Sequence, residues 1–415
     1  MLPKFKKITL ENGFEIYYVP VNTGSDVVSV DLFYKVGSRN ETMGKSGIAH
    51  MLEHMNFKST RNHPAGEFDR IVKGFGGVDN ASTGFDFTHY FIKCASSNLN
   101  KSVELFADMM ENLSLKDKEF QPERAVVAEE RRWRTDNSPI GILYFTLFNE
   151  AFSYHPYHWT PIGFMEDIQS WSINDIREFH ATYYQPKNAF LIISGDISEK
   201  EAFNTAKKYF APIKNKREIP SFKFKEPEQK GAKKVIIRKE SDVEIFALAY
   251  KIPPYDHADS AALAALGEYL SGGKSSLLEH RLVNELNLAN AVDAFVMDCK
   301  DEGLFIVLCV CNAGVKAEKV EKEILNLIKS CKKNLADADE LAKIKNSLKF
   351  EFAYSLASAS SVAEIYGSYI ARGDVAPLLS LQEDTENLTA EDLRKVAKKY
   401  FTEDKSTTVI LKGIK

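Results

Sequence analysis

The chain has 415 residues, of which 44% are hydrophobic and 27% are charged, and its formal net charge is −4. This composition is that of a folded globular protein, and the small net charge excludes the strongly basic character of a typical nucleic-acid binder. A chain of this length exceeds the size at which a single hydrophobic core stops growing, which predicts two domains of about 200 residues each.

The amino-terminal segment predicts secondary structure rather than a targeting signal. Residues 1–20 run directly into an alternating strand pattern, without the apolar core and small-residue cleavage site of a secretory signal. No stretch approaches the roughly 18 apolar residues of a membrane span. We therefore expect a soluble, cytoplasmic protein that binds neither membrane nor nucleic acid. The scattered cysteines are expected to be reduced; they are Cys94, Cys299, Cys309, Cys311 and Cys331.

Strand and helix patterns alternate along the chain. The first segment predicts a β-hairpin around Asn12-Gly13, because this dipeptide readily adopts the positive φ that tight turns need. A third strand is predicted over 27–36, and amphipathic helices follow, among them 100–113 and 201–210. These patterns predict an α+β fold in which helices pack on mostly antiparallel sheets.

Two segments about half the chain apart resemble each other. Asp175 begins DIREFHATYYQPKNAFLIISGDI, and Asp392 begins DLRKVAKKYFTEDKSTTVILKGI. Each predicts an N-capped helix that ends in an aromatic pair, then a turn and a buried strand closed by glycine. The lysine-rich segment 213–234 has the composition of a linker. We therefore expect an internal duplication, with homologous α/β domains at 1–212 and 235–415.

The segment GIAHMLEHMNF contains His50, Glu53 and His54. On a helix, offsets of three and four residues place these side chains on one face. Two imidazoles one turn apart can bind a single Zn²⁺, and the carboxylate beside them can accept a proton from metal-bound water. The order H-x-x-E-H reverses the commoner H-E-x-x-H but brings the same groups together. The alternative is a polar helix face that contains two histidines by chance.

A catalytic zinc site needs a third protein ligand on a separate element. The segment PERAVVAEERRWRTDN offers one, because Pro122 suits the first turn of a helix on which Glu123 and Glu130 lie seven residues apart, on one stripe. We predict Glu130 as the third ligand, although spacing alone does not separate it from Glu123. Glu129 points about 100° away from Glu130 and is expected to be a solvated carboxylate.

Several motifs in this order resemble the pitrilysin family of zinc peptidases (M16, the inverzincins), in the branch of short chains related to the mitochondrial processing peptidase. They are VGSRNE before the predicted zinc helix, GIAHMLEHMNFKST through it, GGVDNASTGFDFTHYF after it, ERAVVAEE at the third ligand, and HPYHWTPIG and YYQPKNAFLIISGD near the end of the first half. The resemblance extends over nearly the whole chain, which is therefore identified as a member of this family.

The resemblance implies specific roles in the first half. One Zn²⁺ per chain is expected, with Glu53 as the general base and Glu123 as a carboxylate just outside the metal shell. The expected metal ligands are His50, His54 and Glu130. The substrate is expected to add a β-strand to the zinc domain, and the residues implied in binding it are Asn80, Ala81 and Ser82.

The second half lacks an H-x-x-E-H motif and is expected to form a wall of the substrate chamber without binding metal. Active relatives carry an arginine and, seven residues later, a tyrosine in a run that resembles R-E-E-x-G-L-A-Y. The corresponding run here is VNELNLAN, so Val283 and Asn290 occupy those positions, and Arg281 lies two residues too early. Gly272 and Gly273 lie where this branch has a substrate-contacting loop. Arg281 and Asn290 complete the set of candidate substrate contacts.

Two other segments have simpler interpretations. His155 and His158 are three residues apart, but the proline between them and the surrounding aromatic residues favour a packed loop over a metal site. The glycine run at 271–276 lacks the G-x-x-x-x-G-K spacing of a phosphate loop, and it predicts a turn before a helix.

These features predict a zinc-dependent endopeptidase that hydrolyses peptides or unfolded protein segments. The resemblance implies a homodimer, or a heterodimer with an inactive homologue, in which each chain supplies half of a clamshell chamber. The alternative is a peptide-binding or chaperone-like protein with little proteolytic activity, because the arginine and tyrosine pair is missing. Glu53 argues against this alternative, since a binding protein does not need a base beside a metal.

Overall fold

A computed structural model describes residues 2–22 and 24–414. These residues form two β-sheets with helices packed on them, which is the predicted α+β class. None of the described helices is long and apolar enough to cross a membrane. The cytoplasmic location stays a prediction.

The first sheet has six strands in the order β1-β2-β6-β3-β5-β4. Neighbouring strands are antiparallel except for β2 and β6, which are parallel. The predicted hairpin joins β1 to β2, and Gly13 in its turn has a φ of 85°. The strands are β1 (Lys6–Thr9), β2 (Glu15–Pro20), β3 (Val27–Tyr34), β4 (Val78–Thr83), β5 (Thr88–Ala95) and β6 (Ala189–Gly195).

The second sheet has five strands in the order β7-β11-β8-β10-β9. Here β7 and β11 are parallel, and the other neighbours are antiparallel. All five cysteines are free and buried, as expected for reduced thiols, and Cys309 and Cys311 lie in the buried strand β10. The strands are β7 (Lys233–Glu240), β8 (Ile245–Ile252), β9 (Ala289–Met297), β10 (Gly303–Cys311) and β11 (Ser406–Ile414).

The two sheets share one topology. Strands β2, β6, β3, β5 and β4 of the first sheet correspond in order to β7, β11, β8, β10 and β9 of the second, including the parallel pair. Only β1 has no counterpart in this correspondence. The predicted duplication is therefore visible in the strand order.

The described residues form eight α-helices in the first half of the chain and six in the second. In the first half they are α1 (Ile48–Asn56), α2 (Glu67–Gly74), α3 (Leu99–Asn112), α4 (Asp117–Arg131), α5 (Pro139–Ala151), α6 (Met165–Ser170), α7 (Ile173–Tyr183) and α8 (Glu199–Phe210). In the second half they are α9 (Ser260–Ser271), α10 (Ala317–Cys331), α11 (Ala338–Tyr354), α12 (Ala359–Arg372), α13 (Ala376–Asn387) and α14 (Ala390–Tyr400).

Shorter helical segments connect these elements. The described residues include two π-helical segments, at Arg132–Asp136 and Glu279–Glu285. Turns of 3₁₀-helix occur at Ser38–Asn40, Ser96–Asn98, Pro156–His158, Pro186–Asn188 and Glu403–Lys405.

The helices α7 and α14 begin with the same capping arrangement. The hydroxyl of Ser172 accepts a hydrogen bond from the backbone N–H of Asp175, whose carboxylate accepts one from the N–H of Ser172. Thr389 and Asp392 repeat this capping box at α14. Asp175 and Asp392 are therefore the third residues of their helices, and the hydroxyl residues before them are the caps. The buried strands β6 and β11 follow, as predicted.

The chain divides into two compact units that differ from the predicted boundaries. The first unit comprises Met1–Arg131, Trp159–Lys223 and Ala353–Val375, and the second comprises Arg132–His158, Phe224–Phe352 and Ala376–Lys415. The difference arises because α5 packs on β8 and β11, whereas α12 packs on β3 and β6. Each half of the sequence thus contributes one equivalent helix to the other unit, and the predicted domains 1–212 and 235–415 describe sequence halves rather than compact units.

Residues of the predicted linker 213–234 form specific hydrogen bonds within each unit. In the first unit, the buried side chain of Gln185 accepts a hydrogen bond from the backbone N–H of Lys216 and donates one to the carbonyl of Arg217. In the second unit, buried Glu226 accepts hydrogen bonds from the backbone N–H groups of residues 153–155 and pairs with Lys251 at 3.1 Å. The linker lacks helix and strand up to residue 232, as its composition predicts.

The loop that contains His155 and His158 is packed, as its sequence favours. The imidazole of His155 is buried and lies 3.0 Å from a carboxylate oxygen of Asp301. His158 lies 2.7 Å from the carbonyl of Phe152 through Nδ1. Both imidazoles therefore have structural partners within the second unit.

Candidate metal centre

The helix α1 carries the partly buried residues His50, Glu53 and His54 on one face because its other face is apolar. Ile48, Met51, Leu52 and Met55 are buried in the core of the first unit. The helix begins after Gly47, whose φ is 82° and whose Cα lies against the carbonyl of Ile162. Only glycine suits this position, since a Cβ there would lie 2.5 Å from that oxygen.

A buried carboxylate holds the first turn of α1. Glu41 accepts hydrogen bonds from the backbone N–H groups of Gly47 and Ala49 and from the indole of Trp159, each at 2.8 Å. Burial raises the pKa of Glu41 to about 8, although the three N–H donors act in the opposite direction. The motifs VGSRNE and HPYHWTPIG therefore meet at the start of the helix that carries the candidate ligands.

The two histidines of α1 face a glutamate of α4. The Nε2 atom of His54 lies 3.3 Å from Oε2 of Glu130, and that of His50 lies 3.7 Å from the same oxygen. Ligand atoms of the three residues all lie within 4.8 Å of one another, and no other such cluster of three occurs in the part of the chain that the structure describes. Two imidazoles and one carboxylate match the donor set of a catalytic zinc site.

The other glutamate of the stripe faces the far side of His54. Oε1 of Glu123 lies 2.9 Å from Nδ1 of His54, and its Oε2 lies 2.6 Å from the ammonium of Lys58. A carboxylate at Nδ1 favours the tautomer in which Nε2 is left to bind a metal. Burial alone would raise the pKa of Glu123, but His54 and Lys58 outweigh burial and lower it.

Two carboxylates beside His54 favour the protonated, positively charged form of its imidazole. Burial alone would lower the pKa of His54, but the carboxylates of Glu123 and Glu130 outweigh it and raise the pKa to about 9. The same negative potential favours a divalent cation at this place.

The start of α4 differs from the prediction. The helix begins at Asp117, so Pro122 lies inside it rather than in its first turn. The stripe that joins Glu123 to Glu130 is retained, because both residues lie within the same helix. Glu129 is exposed, as predicted.

The predicted base and the predicted substrate strand are joined by a hydrogen bond. The hydroxyl of Thr83 donates to Oε2 of Glu53 at 2.5 Å. Thr83 is the last residue of β4, which is an edge strand of the first sheet. Asn80 and Ser82 on this strand are exposed, and Ala81 packs against the core.

The remaining candidate residues belong to the second unit. Gly272 follows α9 directly, Gly273 has a φ of 89°, and Asn290 is exposed on β9. Arg281 is engaged by two carboxylates, those of Glu285 at 2.5 Å and Glu323 at 3.1 Å. Their role toward a substrate stays a prediction.

The run VNELNLAN begins in the π-helical segment Glu279–Glu285 and ends in β9. Val283 is partly buried against the core of the second unit. Asn287 stands at the glycine of the resembling pattern and has a φ of 49°, a conformation that asparagine tolerates better than most residues. The assignment of Val283 and Asn290 as the counterparts of the arginine and tyrosine stays a prediction.

Three residues near the site were not predicted to act there. Lys58 and Glu41 lie within quoted motifs, but a sequence does not reveal the long-range partners of a charged side chain. Thr83 follows the predicted substrate strand directly, and the period of two places its side chain on the same face as Ala81. The alternation therefore indicates the direction of the Thr83 side chain from the sequence, whereas its contact with Glu53 depends on the tertiary structure.

Comparisons with known proteins agree with this geometry. Residues 18–156 match a family model described as insulinase (peptidase family M16), and residues 170–348 match one described as the peptidase M16 inactive domain. The chain is 51% identical over 414 residues to zinc protease PqqE of Helicobacter pylori (strain ATCC 700392 / 26695), covering 99% of this chain and 93% of that protein.

More distant relatives and solved structures extend the comparison. The probable mitochondrial-processing peptidase subunit beta of Arabidopsis thaliana is 26% identical over 415 residues, covering 96% of this chain and 76% of that protein. A crystal structure of a protease from Helicobacter pylori superposes with a TM-score of 0.97 at 50% identity, covering 99% of this chain and all of that one. A putative M16-like peptidase from Alicyclobacillus acidocaldarius has a TM-score of 0.86 at 18% identity, covering 100% of this chain and 99% of that chain.

Proposed function

The chain belongs to the M16 family of peptidases, and from this premise we propose that it is a zinc-dependent endopeptidase that hydrolyses peptides or unfolded protein segments. The observation that carries this proposal is the convergence of His50, His54 and Glu130 around one point, with Glu53 on the same helix as the two histidines. The zinc-protease names of the similar proteins support it.

The two imidazoles and the carboxylate are ligands that suit zinc, and Glu53 beside them can serve as the base of a zinc-dependent hydrolysis. When bound by His50, His54 and Glu130, zinc supplies Lewis acidity, which lowers the pKa of a water to about 7 and polarises a substrate carbonyl. The carboxylate of Glu53 then takes the proton of the attacking water and passes it to the leaving nitrogen. Glu123 keeps a hydrogen on Nδ1 of His54, so that Nε2 of this histidine remains a ligand atom.

The substrate is proposed to bind as an additional strand along β4. An edge strand has unpaired backbone groups that can bind an extended peptide independently of its sequence. The exposed side chains of Asn80 and Ser82 are then available to contact the peptide. Such binding accounts for a preference for unfolded segments, because folded proteins do not present a free strand.

A second candidate function is peptide binding with slow turnover. It is favoured by Val283 and Asn290, which lack the donors of an arginine and a tyrosine, and by the pairing of Arg281 with Glu285 and Glu323. The loss of one oxyanion donor costs roughly a hundredfold or more in rate. The presence of Glu53 favours the peptidase, since binding alone does not require a base.

The experiment that separates these functions measures zinc content and hydrolysis of a mixed peptide library, with and without a chelator. The parent protein is expected to cleave peptides, and the chelator is expected to abolish cleavage. Glu53→Gln is expected to retain zinc and lose hydrolysis, because the base is not a ligand. Full activity in Glu53→Gln would contradict the mechanism, and zinc binding without any cleavage by the parent would favour the peptide-binding function.

The working unit is proposed to be a dimer in which each chain forms half of a clamshell chamber. This proposal rests on the similarity to a mitochondrial-processing peptidase subunit and covers both a homodimer and a heterodimer with an inactive homologue. Light scattering on the purified chain measures the homodimer directly. A monomer with full activity would contradict the chamber.

A further inference from the structure

We infer that Thr83 is a positioning residue that couples substrate docking on β4 to the orientation of the general base Glu53. This inference rests on the proposed function, because it assigns a role toward the base of that reaction. It concerns a contact between two elements that are close in space, the end of an edge strand and the middle of α1.

The side chain of Thr83 points toward α1 because of the strand period. Along β4, Val78, Asn80 and Ser82 are exposed, whereas the residues between them are partly buried. From this inner face, the hydroxyl of Thr83 donates to Oε2 of Glu53 at 2.5 Å. A hydrogen bond to a carboxylate is about twice as strong as one between neutral groups, so it restrains the rotamer of Glu53.

The backbone of Thr83 points in a different direction, toward the open edge of the sheet. Antiparallel pairs alternate between hydrogen-bonded and non-hydrogen-bonded, and the N–H of Gly84 donates to the carbonyl of Phe87 at 2.9 Å. The next pair along the ladder, Thr83 with Thr88, is therefore of the non-hydrogen-bonded kind. The N–H and carbonyl of Thr83 accordingly face away from β5.

Ala81 supports this assignment two residues along the strand. Its backbone N–H donates to the side-chain oxygen of Asn80 at 2.9 Å instead of to β5. Ala81 and Thr83 therefore present the backbone groups that an added peptide strand would pair with. For Ala81, the peptide has to take the place of the Asn80 side chain.

A single residue thus contacts the base through its side chain and an incoming strand through its backbone. Pairing of a peptide with the backbone of Thr83 restrains this residue, which in turn holds the carboxylate of Glu53 in one orientation. Small displacements of a catalytic group have large rate effects, on the order of a hundredfold for about 1 Å. The hydroxyl of Thr83 should therefore affect turnover more than substrate affinity.

The test compares three substitutions with the parent protein. Thr83→Val keeps the shape and the strand preference but removes the donor, and Thr83→Ser restores a donor. Thr182→Val is the matched control, because the hydroxyl of Thr182 donates to the carbonyl of Glu178 within α7. It removes a threonine hydroxyl from the same unit, at a position outside the candidate site. The measurements are kcat and KM on a quenched fluorescent peptide, the zinc Kd by chelator competition, and the thermal midpoint.

We expect Thr83→Val to lower kcat by about tenfold to a hundredfold with KM changed less than about threefold. Its zinc Kd and thermal midpoint should match those of Thr182→Val, and Thr83→Ser should recover most of kcat. An unchanged kcat in Thr83→Val, a loss of zinc affinity that parallels the loss of kcat, or a failure of Thr83→Ser to recover activity would each overturn the inference.

Glu53→Gln separates this inference from the proposed function. If Glu53→Gln is inactive and Thr83→Val is unchanged, the positioning role is wrong and the proposed base stands. If Glu53→Gln is active, the proposed mechanism fails, and the role of Thr83 fails with it.

Discussion

The helices α1 and α9 follow the equivalent strands β3 and β8, yet among the described residues only α1 contributes histidines to the candidate metal centre. Its face toward α4 presents His50 and His54 to Glu130, and these three residues supply the candidate ligands. In the second unit, α9 meets α11 through the hydroxyl of Tyr269, which donates to Glu340 at 3.3 Å. The same topology therefore carries a candidate metal centre in one unit and an ordinary hydrogen bond in the other, because chemistry depends on a few side chains rather than on the fold.

The units also differ in how they hold the segment between the two halves. The first unit uses a neutral amide, Gln185, and the second uses a carboxylate of the segment itself, Glu226. A neutral anchor is insensitive to pH, whereas a carboxylate loses its charge in acid. Substitutions at corresponding positions of the two units can therefore test whether metal binding and pH-dependent stability each depend on one unit alone.

The largest effect is expected from removing a metal ligand. His50→Ala and Glu130→Ala should lose zinc and reduce hydrolysis to background, because each removes one of three donors that converge within 4.8 Å. His280→Ala in the second unit is the matched control and should retain both properties. Metal analysis beside a peptidase assay measures the difference. Zinc retained at full stoichiometry in both ligand variants would refute the assignment of the centre to the first unit.

The next effect is expected outside the ligand set. Glu123→Gln weakens the hydrogen bond to Nδ1 of His54 and removes the pairing with Lys58, so the zinc Kd should rise by about tenfold to a hundredfold. Glu340→Gln alters the corresponding contact of the second unit and should leave the zinc Kd unchanged. Chelator competition determines both constants. Equal zinc affinities of the two variants would show that Glu123 does not support the metal.

A smaller effect is expected on the pH dependence of stability. Burial would raise the pKa of Glu226, but three backbone N–H groups and Lys251 outweigh burial and lower it. Because the pKa of the folded state lies below the ordinary 4.5, this carboxylate stabilises the fold above about pH 4.5, and the contribution is lost as the pH falls through the lowered pKa.

Glu226→Gln should therefore destabilise the protein by about 2 kcal/mol near neutral pH and by less in acid. Gln185→Ala should destabilise the protein by a similar amount at every pH, since an amide does not titrate in this range. Thermal midpoints between about pH 3 and pH 7 measure both profiles. A Glu226→Gln profile parallel to that of the parent would contradict the proposed charge effect.

The smallest effect concerns the residues at which the second unit departs from active relatives. Val283→Arg combined with Asn290→Tyr introduces two donors, and we expect kcat/KM on an unfolded peptide to rise by about tenfold. Steady-state rates at matched zinc content measure the change. No gain in a folded double variant would indicate that another group supplies the donor or that the natural reaction does not need it.

The duplication could be predicted from the sequence because its signals are local. The capping residues, aromatic pair and buried strand of each repeat lie within about 25 residues, and the strand patterns follow a period of two. The exchange of α5 and α12 between the compact units could not be predicted in this way. Both helices have ordinary sequences, and only packing on β8 and β11 or on β3 and β6 assigns them to a sheet.

The sequence by itself determined the arrangement of His50, Glu53 and His54, because the helical period places residues three and four apart on one face whatever the rest of the fold does. Only the tertiary structure decided which glutamate faces which nitrogen: Glu130 lies beside both Nε2 atoms, and Glu123 lies beside Nδ1 of His54. It also joined Thr83 to Glu53, 30 residues away along the chain. Such contacts depend on how a strand and two helices pack together, which no local pattern of residues specifies.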